Sequence, residues 1–593
     1  MKKAHLFLVP LLCLSLLSAC STQPSQEKNY VDKTVHIYHK TNLINNETNL
    51  RFYVDQPNVP YIEVNQYFEE FYETTLKRVY QKDTYYYLND SGAYLGFNLV
   101  DQTFFSNALD TFNHHPNFGI TSGKNYVKTK SAKTTKPQIH TIPLKNYHIP
   151  IYTDTNRVYV PLTFLSKFMG GSVLFNIAYN GKDVYVIDRN GQLGTPADYG
   201  AYPTYYEVLN DTNTPRPVDL AKYSYNELCL VFDHFRGLTT QLLIGDNNLH
   251  TLGLDGTLET YVPGLKEYLT STDKIKYYQG YHTLFGALYD GGHTSALAAF
   301  DAFTQEVKNG AYEIPAFEKV LSESSQLQAY KMVDLGCYVK AKQNKFDYNY
   351  AQNIRDYYYY DATYKTSYIG FDSFKFDYQA WDNYYTKNTP VPIENDSFAF
   401  IRAKLLEAKS DGAENIVLDL TTNGGGAVAA LIGIVSLFNQ GTAYYSVTNT
   451  FNKIGTTEEF EIDLNLDGKW DENDAAFANQ FDFNVGVLTS HYSFSCGNLL
   501  PCVMKELGYK ILGDRSGGGS CSITYESTAD GLSFVRSSAN TLSTKDGSSV
   551  DDGVPVDLEI VKEPDALPAP VFNAKNFFDP EITGTYLSTA YKA

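Results

Sequence analysis

The sequence predicts a multidomain α/β protein, with a β-rich region first, a helical segment next and an α/β layer last. Its 593 residues exceed the length of one ordinary domain. Residues 35–190 alternate short apolar runs with polar turns, as strands do. From residue 366 onward, apolar strands alternate with amphipathic helical patterns, which is typical of a mostly parallel sheet covered by helices.

The composition excludes some classes of partner. A formal net charge of −19 argues against nucleic acid or an anionic membrane surface as the main partner. The 50 tyrosines suit carbohydrate- or peptide-binding surfaces, but the strand propensity of tyrosine is the simpler explanation.

The first residues resemble a bacterial lipoprotein signal. A basic "MKK" precedes the apolar run "LFLVPLLCLSLL", which is too short for a conventional spanning helix, and "LSAC" follows. The resemblance implies a signal peptide over residues 1–20, cleavage before Cys20, and a lipid anchor on its thiol. Residues 21–34 are then a polar tether, and we expect the protein at the bacterial cell surface or facing the periplasm, anchored by lipid to the membrane. The alternative is an ordinary secretory signal.

Cysteine usage argues against a disulfide framework. Cys13 leaves with the signal and Cys20 carries lipid, so an odd, scattered set remains, without a CxxC or Cys/His cluster that would suggest zinc. We predict buried free thiols at Cys229, Cys337, Cys496, Cys502 and Cys521.

The accessory region, residues 35–190, contains the distinctive segment "VYVPLTFLSKFMGGSVLFN", followed by "KDVYVID". A strand, a short helix and further strands in this order resemble the copper amine oxidase N-terminal-like module. The resemblance implies a spacer or a cell-wall-binding unit, and nothing here forms a copper site. Residues 191–224 have the composition of a linker.

The remaining chain divides by pattern. Residues 225–305 are helical, residues 306–365 form an insertion or lid, residues 366–570 form the core, and residues 571–593 form a C-terminal tail. Within the core, Asp396 is expected to cap a helix that Gly412 ends. The runs "NIVLDL" and "NVGVL" are typical of strands that are buried on both faces.

Two motifs of the core could carry chemistry. In "TSHYSFSCGNLL", Ser495 lies where a strand meets a helix, so its hydroxyl would lie beside helix N-terminal N–H groups, as a nucleophile requires. The alternative is that Ser493 or Ser495 only caps the helix. In "TTNGGGAV", the N–H groups of Gly424 and Gly425 could bind an oxyanion. No Lys-Ser/Thr follows, which disfavours a phosphate-binding loop.

Together, "NIVLDLTTNGGGAV" and "VGVLTSHYSFSCGNLLPCVMKELGYKILGD" resemble the C-terminal processing (tail-specific, tricorn-like) serine peptidases. "SYIGFDSF" and "DGVPVDLEI" match further parts of that family, and the resemblance covers residues 225–565. It implies a crotonase-like core, a polypeptide substrate and no cofactor for catalysis. Carried over by position, Ser495 is the nucleophile, and the oxyanion hole consists of Gly424 or Gly425 with the N–H of Cys496.

The sequence departs from the family pattern at two positions. Gly519 lies where many members have a catalytic lysine, and Asn498 replaces a glutamate. Another branch of the family uses histidine, and "LYDGGHTSA" matches its signal, so the resemblance implies that His293 is the base. His282 is a weaker rival. For the acid, the resemblance points to Asp551 or Asp552, with Asp551 preferred.

The segment "DLNLDGKWDEND" has the spacing of a calcium-binding loop, with Gly468 at the turn position. It predicts a structural Ca²⁺, and the alternative is an acidic surface turn. The predicted ligands are Asp463, Asn465, Asp467, the Lys469 carbonyl, Asp471 and Asp474.

The sequence therefore predicts a surface-anchored serine endopeptidase, in which Ser495 forms an acyl-enzyme and His293 acts as base and then as acid. The alternative is an inactive family member that serves as a peptide- or glycan-binding surface protein or adhesin. Residues 35–190 are the candidate for cell-wall binding, and nucleic acid is not expected as a partner.

Overall fold

A computed structural model describes most of the chain between Asn29 and Lys592. The predicted signal peptide and Cys20 lie outside the described residues. Among these residues, no helix combines the length and the apolar character needed to cross a membrane. The described ranges are 29–39, 42–112, 124–136, 138–168, 175–188, 202–237, 244, 248–297, 300–309, 312, 314–519, 521–564 and 572–592.

The β-rich region comes first in the chain, and helices become frequent after it. The strands are β1 Tyr30–His39, β2 Asn42–Tyr53, β3 Gln56–Glu63, β4 Lys77–Gln81, β5 Thr84–Leu88, β6 Tyr94–Asn98, β7 Thr103–Ser106, β8 Val127–Thr134, β9 His140–Pro143, β10 Tyr152–Asp154, β11 Arg157–Pro161, β12 Phe175–Tyr179, β13 Val184–Asp188, β14 Ser295–Ala296, β15 Tyr357–Asp361, β16 Thr366–Gly370, β17 Asn415–Asp419, β18 Thr442–Asn449, β19 Gly455–Ile462, β20 Asn484–Thr489, β21 Lys510–Gly513, β22 Cys521–Ser527, β23 Ser533–Ser543, β24 Leu558–Glu559, β25 Glu563–Pro564 and β26 Phe572–Asn573. The helices are α1 Val64–Tyr72, α2 Leu162–Phe168, α3 Pro203–Asn210, α4 Val218–His234, α5 Asn248–Tyr261, α6 Leu265–Leu269, α7 Lys274–Ala287, α8 Asp301–Asn309, α9 Pro315–Lys345, α10 Tyr378–Lys387, α11 Ser397–Asp411, α12 Val428–Leu437, α13 Glu472–Asn479, α14 Cys496–Glu506 and α15 Pro580–Ala590.

The N-terminal region is β-rich, as predicted. One sheet has the strand order β10-β11-β3-β2-β1-β13-β12, and a second has the order β4-β5-β6-β7-β9. Between β11 and β12 lies the short helix α2, whose Phe164 and Leu165 are buried. Both side chains belong to the apolar core of the β-rich region.

One strand of the accessory region belongs to a different sheet. β8 pairs antiparallel with β19, in a sheet of order β14-β23-β18-β19-β8 to which β22 is added through β23. The region 35–190 therefore supplies an edge strand to the part of the molecule that carries the predicted core.

A buried ionic contact joins the same two regions. Lys167 Nζ lies 3.9 Å from Glu227 and 4.0 Å from Glu526, and each of these side chains is at most 2% exposed. Lys167 also donates a hydrogen bond to the carbonyl of Ser527. Because burial of unpaired charge is costly, this contact fixes α2 against α4 and β22.

The core has the predicted alternation of strands and helices. Its sheet has the order β15-β16-β17-β20-β21-β24, in which every pair from β16 to β24 is parallel. Asp396 caps α11 by accepting a hydrogen bond from the N–H of Ala399 at 2.9 Å, and Gly412 ends the helix with φ 80°. Both helix boundaries are confirmed.

Three segments differ from the sequence expectation. Within residues 306–365, the 31-residue helix α9 is followed by β15, which is the edge strand of the core sheet. Within 571–593, α15 packs on the core through Leu587, which is fully buried. Within 191–224, α3 forms and α4 begins at Val218. The amphipathic periodicity of these segments is weak, so their sequences did not predict the helices and the tertiary contacts that the structure shows.

The thiol prediction is confirmed for the five cysteines that it named. All five are free and buried, at Cys229, Cys337, Cys496, Cys502 and Cys521.

Candidate active site

Ser495 has an unusual backbone at the junction between β20 and α14. Its φ is 56° and its ψ is −121°, a conformation that is costly for a residue with a Cβ. Its side chain makes no capping hydrogen bond to the helix, and its N–H donates to the carbonyl of Gly518 at 3.0 Å. The local structure therefore presents the Ser495 hydroxyl at a sharp turn without using it as a cap.

The glycine turn of "TTNGGGAV" contacts this serine directly. A Cβ on Gly425 would lie 2.7 Å from Ser495 Cβ, and a Cβ on Gly497 would lie 2.4 Å from the carbonyl oxygen of Asn423. That carbonyl also accepts a hydrogen bond from the N–H of Phe494 at 3.1 Å. Glycine is required at both positions because the two backbones touch.

Neighbouring candidates for the nucleophile are engaged elsewhere. The hydroxyl of Ser493 is buried and donates to the carbonyl of Leu420 at 2.7 Å. The Cys496 thiol donates to the carbonyl of Gly426 at 3.2 Å, and burial raises its pKa to about 12. Since a neutral thiol is a weak nucleophile, Ser495 is the group suited to attack.

The structure leaves fewer candidate N–H donors for an oxyanion than the sequence predicted. The N–H of Gly425 donates to Asn423 Oδ1 at 2.9 Å and is therefore occupied. Among the described residues, no acceptor is found for the N–H groups of Gly424 and Cys496. These two groups remain available to stabilise a developing negative charge.

Gly519 cannot be replaced by a lysine without a clash. Its φ is 77°, and a Cβ there would lie 2.3 Å from the ring of Phe494. Its N–H donates to Asp551 Oδ1 at 3.2 Å. The ring of Phe494 thus occupies the space that a side chain at residue 519 would need.

Asn498, which replaces the glutamate of the family pattern, has a structural role. Its Nδ2 donates to the carbonyl of Val550 at 2.8 Å, and its Oδ1 accepts from the Ser516 hydroxyl at 2.6 Å. A glutamate could not donate the first bond. Asn498 thereby fixes the segment that carries Asp551.

His293 lies on a tight turn after α7. Gly291 and Gly292 have φ values of 92° and 144°, and Asp290 Oδ1 accepts from the N–H groups of His293 at 3.0 Å and Thr294 at 2.8 Å. Burial would raise the pKa of Asp290, but the charge of Arg236 and hydroxyl donors outweigh it and hold that pKa below its usual value. Asp290 is therefore an ionised anchor for this turn.

The imidazole of His293 reaches the neighbour of Ser495. Its ring centroid lies 4.7 Å from that of Phe494, and its Nδ1 lies 3.3 Å from Cys521 Sγ. Among the described residues, no hydrogen bond joins His293 to Ser495. Burial lowers the pKa of His293, partly opposed by the charges of Asp290 and Asp551, so the ring is neutral at pH 7.

The structure separates the two candidates for the acid. Asp551 is buried and its charge acts on His293, although no hydrogen bond or ion pair joins these two described residues. Asp552 is exposed, and its carbonyl accepts from Arg515 at 3.2 Å. The rival His282 has its Nδ1 2.7 Å from the Tyr312 hydroxyl. Asp551 alone of the two aspartates is placed to act electrostatically on His293.

Sequence reasoning missed Lys342, which comes from α9. Its ammonium pairs with Asp419 and lies 3.7 Å from Asp372, and all three side chains are at most 5% exposed. Asp419 Oδ1 in turn accepts from the N–H of Thr421 at 2.9 Å. Lys342 also donates to the hydroxyl of Thr422, so this buried network holds the segment that leads into the glycine turn.

Lys331, also on α9, is a second buried lysine that the sequence did not predict. Its Nζ donates to the carbonyl of Gly291 at 3.3 Å and lies 5.9 Å from the ring centroid of Phe494. Burial lowers its pKa. The pattern of the segment offered no signal for either lysine, because helix α9 lacks a distinct apolar face.

The predicted calcium loop forms the expected tight turn. Asp463 Oδ2 accepts from the N–H of Gly468 at 2.8 Å, and Asp474 Oδ1 accepts from the N–H of Leu464 at 2.7 Å. Asp471 caps α13 in a capping box with Asp474. The described residues contain no group of three or more His, Cys, Asp or Glu side chains arranged to hold a metal ion. Calcium binding therefore stays a prediction.

One protein-family model matches the part of the chain that contains Ser495. Residues 367–560 match the model of peptidase family S41. The chain contains a peptidase family S41 domain. The matched range includes the glycine turn and Ser495, whereas His293 precedes it. No curated protein matches the chain in sequence.

Solved structures resemble parts of the chain at low identity. A Parabacteroides merdae protein proposed to be a peptidase is 17% identical, covering 50% of this chain and 79% of its own, with TM-score 0.33. A lipoprotein from Streptococcus agalactiae is 12% identical over 60% of this chain and 91% of its own, with TM-score 0.30. The photosystem II D1 C-terminal processing protease is 18% identical, over 33% of this chain and only 42% of its own, with TM-score 0.24. Similarities this low carry no information on the roles of individual residues.

Proposed function

We propose that the protein is a serine endopeptidase that hydrolyses peptide bonds through an acyl-enzyme on Ser495. The observation that carries this proposal is the backbone of Ser495, with φ 56° and ψ −121°, at a strand-to-helix turn packed against the glycine turn. Strain of this kind persists only where the surrounding structure enforces it, and it is concentrated at functional sites. The family S41 match over residues 367–560 supports the same reaction.

His293 is the proposed general base. It accepts the proton of Ser495 Oγ on Nε2 while the oxygen attacks the substrate carbonyl, and it returns that proton to the leaving amine. Water then hydrolyses the acyl-enzyme with the same histidine as base. Because catalytic hydrogen bonds often tighten only when substrate binds, the contact of His293 with Phe494 is compatible with this role.

The proposed oxyanion hole consists of the N–H groups of Gly424 and Cys496. Neither donor has an acceptor among the described residues, so both can point at the negative oxygen without first breaking a bond. Gly425 contributes by its lack of a side chain, since any Cβ there would lie against Ser495.

The test is labelling by a fluorophosphonate probe, which reacts with an activated serine. We expect the wild-type protein to be labelled and Ser495→Ala to be silent. Ser493→Ala is the matched control: it removes a buried hydrogen bond to Leu420, so stability falls while labelling remains. Folded wild-type protein that resists the probe, or a labelled Ser495→Ala variant, would refute the proposal.

A second candidate is an inactive family member that binds peptides in the same cleft. The observations that favour it are Gly519 in place of the catalytic lysine and the lack of a hydrogen bond between His293 and Ser495 among the described residues. Peptide binding without hydrolysis by the wild-type protein, together with absent labelling, would support this candidate.

We further propose a crotonase-like topology for the core, an amine-oxidase-like accessory unit that contacts the cell wall, and lipid anchoring through Cys20 at the cell surface. The basis is the sequence resemblance given above. Replacement of Cys20 by alanine is expected to release the protein from the membrane fraction; continued sedimentation with membranes would contradict the lipid anchor.

A further inference from the structure

We propose that Cys521 is the positioning residue that holds His293 in the tautomer needed for a base, in place of a hydrogen-bonded carboxylate. This inference rests on the proposed function of Ser495 and His293. The carrying observation is the 3.3 Å contact between His293 Nδ1 and Cys521 Sγ. When Nδ1–H donates to sulfur, the lone pair lies on Nε2, the nitrogen left to accept a proton.

Both partners of this contact are fixed by the same strand. Cys521 begins β22 and pairs with Thr541 of β23. Two residues after His293, Ser295 begins β14 and pairs with Val535 of β23. The relative position of imidazole and thiol is therefore set by backbone pairing on β23.

Cys521 lies in a closely packed, buried part of the molecule. A Cβ on Gly237 would lie 3.2 Å from Cys521 Cβ and 2.1 Å from the carbonyl oxygen of Ser538. Cys521 itself is 2% exposed.

The charges around the contact favour a neutral partner for the imidazole. Burial raises the pKa of the Cys521 thiol, and the charges of Asp290 and Asp551 raise it further, so the sulfur stays protonated. Arg236 pairs with Asp290, and Lys331 lies against the adjoining Gly291. A further buried carboxylate at residue 521 would face two others, which would favour its protonated form.

The proton transfers balance without chemistry at sulfur. Nε2 takes the proton of Ser495 Oγ and later delivers it to the leaving amine, while the Nδ1 proton stays on the ring and donates to Sγ. No bond to sulfur forms or breaks. Since a thiol sulfur is a weak acceptor, it orients the imidazolium while stabilising it less than a carboxylate would.

The test measures the tautomer of His293 by nitrogen NMR in the Ser495→Ala background, and the labelling rate as a function of pH with Ser495 intact. We expect Nδ1–H in the parent protein. Cys521→Ala should lose that preference and lower the labelling rate by about tenfold, and Cys521→Ser should restore most of both, because a hydroxyl can accept the same proton. Cys502→Ala, at another buried free thiol, is the control for cavity formation and should leave the tautomer unchanged.

An unchanged tautomer and rate in a folded Cys521→Ala variant would overturn the assignment. The NMR measurement does not depend on activity. If the wild-type protein is never labelled but Cys521→Ala shifts the tautomer, the serine peptidase proposal fails while the positioning contact stands.

Discussion

The ring of His293 lies against the ring of Phe494, with 4.7 Å between centroids and 62° between planes. Phe494 directly precedes Ser495, so one aromatic side chain connects the proposed base to the proposed nucleophile. The same ring excludes a side chain at Gly519. Phe494 therefore packs against the proposed base, and it also fills the space that a lysine side chain at residue 519 would need.

Replacement of Phe494 by alanine should remove the wall against which His293 packs. We expect the labelling rate to fall by about tenfold, because the imidazole loses its fixed orientation. Phe494→Leu keeps apolar volume at this position and should retain more of the rate. Equal labelling of the alanine variant and the wild type would show that the ring contact does not position the base.

Introducing the missing lysine should not create a serine–lysine pair. Gly519→Lys places a Cβ at positive φ and against the Phe494 ring, so we expect a loss of stability of about 2 kcal/mol or more and no gain in labelling. Gly547→Lys is the control, because Gly547 also has positive φ but no atom within 4 Å of the added Cβ. Its loss should be near 1 kcal/mol. Urea denaturation measures both.

Acid should weaken a contact between the accessory region and α4. His234 Nδ1 lies 3.0 Å from His140 Nε2, and burial with the neighbouring His140 charge lowers the pKa of His234 to about 4. In the unfolded chain this pKa is about 6.5, so the unfolded state binds more protons below that pH. Stability is complete above pH 6.5 and falls on acidification, by about 2 kcal/mol between pH 7 and pH 5.

The variant His234→Gln tests this pH dependence by urea unfolding at both pH values. It keeps hydrogen-bonding groups but cannot titrate, so its stability should change less with pH than that of the wild type. An equal loss in both proteins would mean that other groups cause the acid sensitivity.

Removing the buried ammonium of Lys342 should destabilise the core strongly. Lys342→Met leaves Asp419 and Asp372 buried without their cation, and we expect a loss of about 3–5 kcal/mol. Lys319→Met, on the same helix with 73% of the side chain exposed, should change stability by less than about 0.5 kcal/mol. Comparable losses in the two variants would contradict a special role for Lys342.

Calcium should stabilise the protein if the loop from Asp463 to Asp474 binds it. We expect Tm to rise on addition of Ca²⁺ and to fall again with a chelator, since a ligand that binds only the folded state stabilises it. Asp467→Asn should weaken the response, while Asp546→Asn, in an exposed turn elsewhere, should not. A Tm that is indifferent to Ca²⁺ would favour an acidic surface turn.

The sequence was informative where a structural signal is local. Buried parallel strands form continuous apolar runs, and caps such as Asp396 mark helix boundaries, so the core elements from β16 to β21 could be predicted. Ser495 and the glycine turn were also identifiable, because strand, turn and helix follow one another directly along the chain.

Contacts over long sequence separation gave no such signal. Lys342 bonds Thr422, 80 residues away, and Cys521 contacts His293 across 228 residues. Asp290 lies three residues before His293, but its role depends on its ion pair with the buried Arg236. No local sequence pattern predicts that ion pair. The helical segment of α9 also lacked a clear apolar face, so its packing could not be predicted.

The buried pairing of Lys167 with Glu227 and Glu526 limits how the N-terminal region can be exchanged during evolution. Recombination that exchanged the N-terminal region for an unrelated one would leave Glu227 buried without its cation, would take one of two cations from Glu526, and would remove strand β8 from its sheet. Such an exchange is therefore expected to destabilise the folded protein. These contacts predict that the two regions change together in evolution, even though their sequences suggest separable modules.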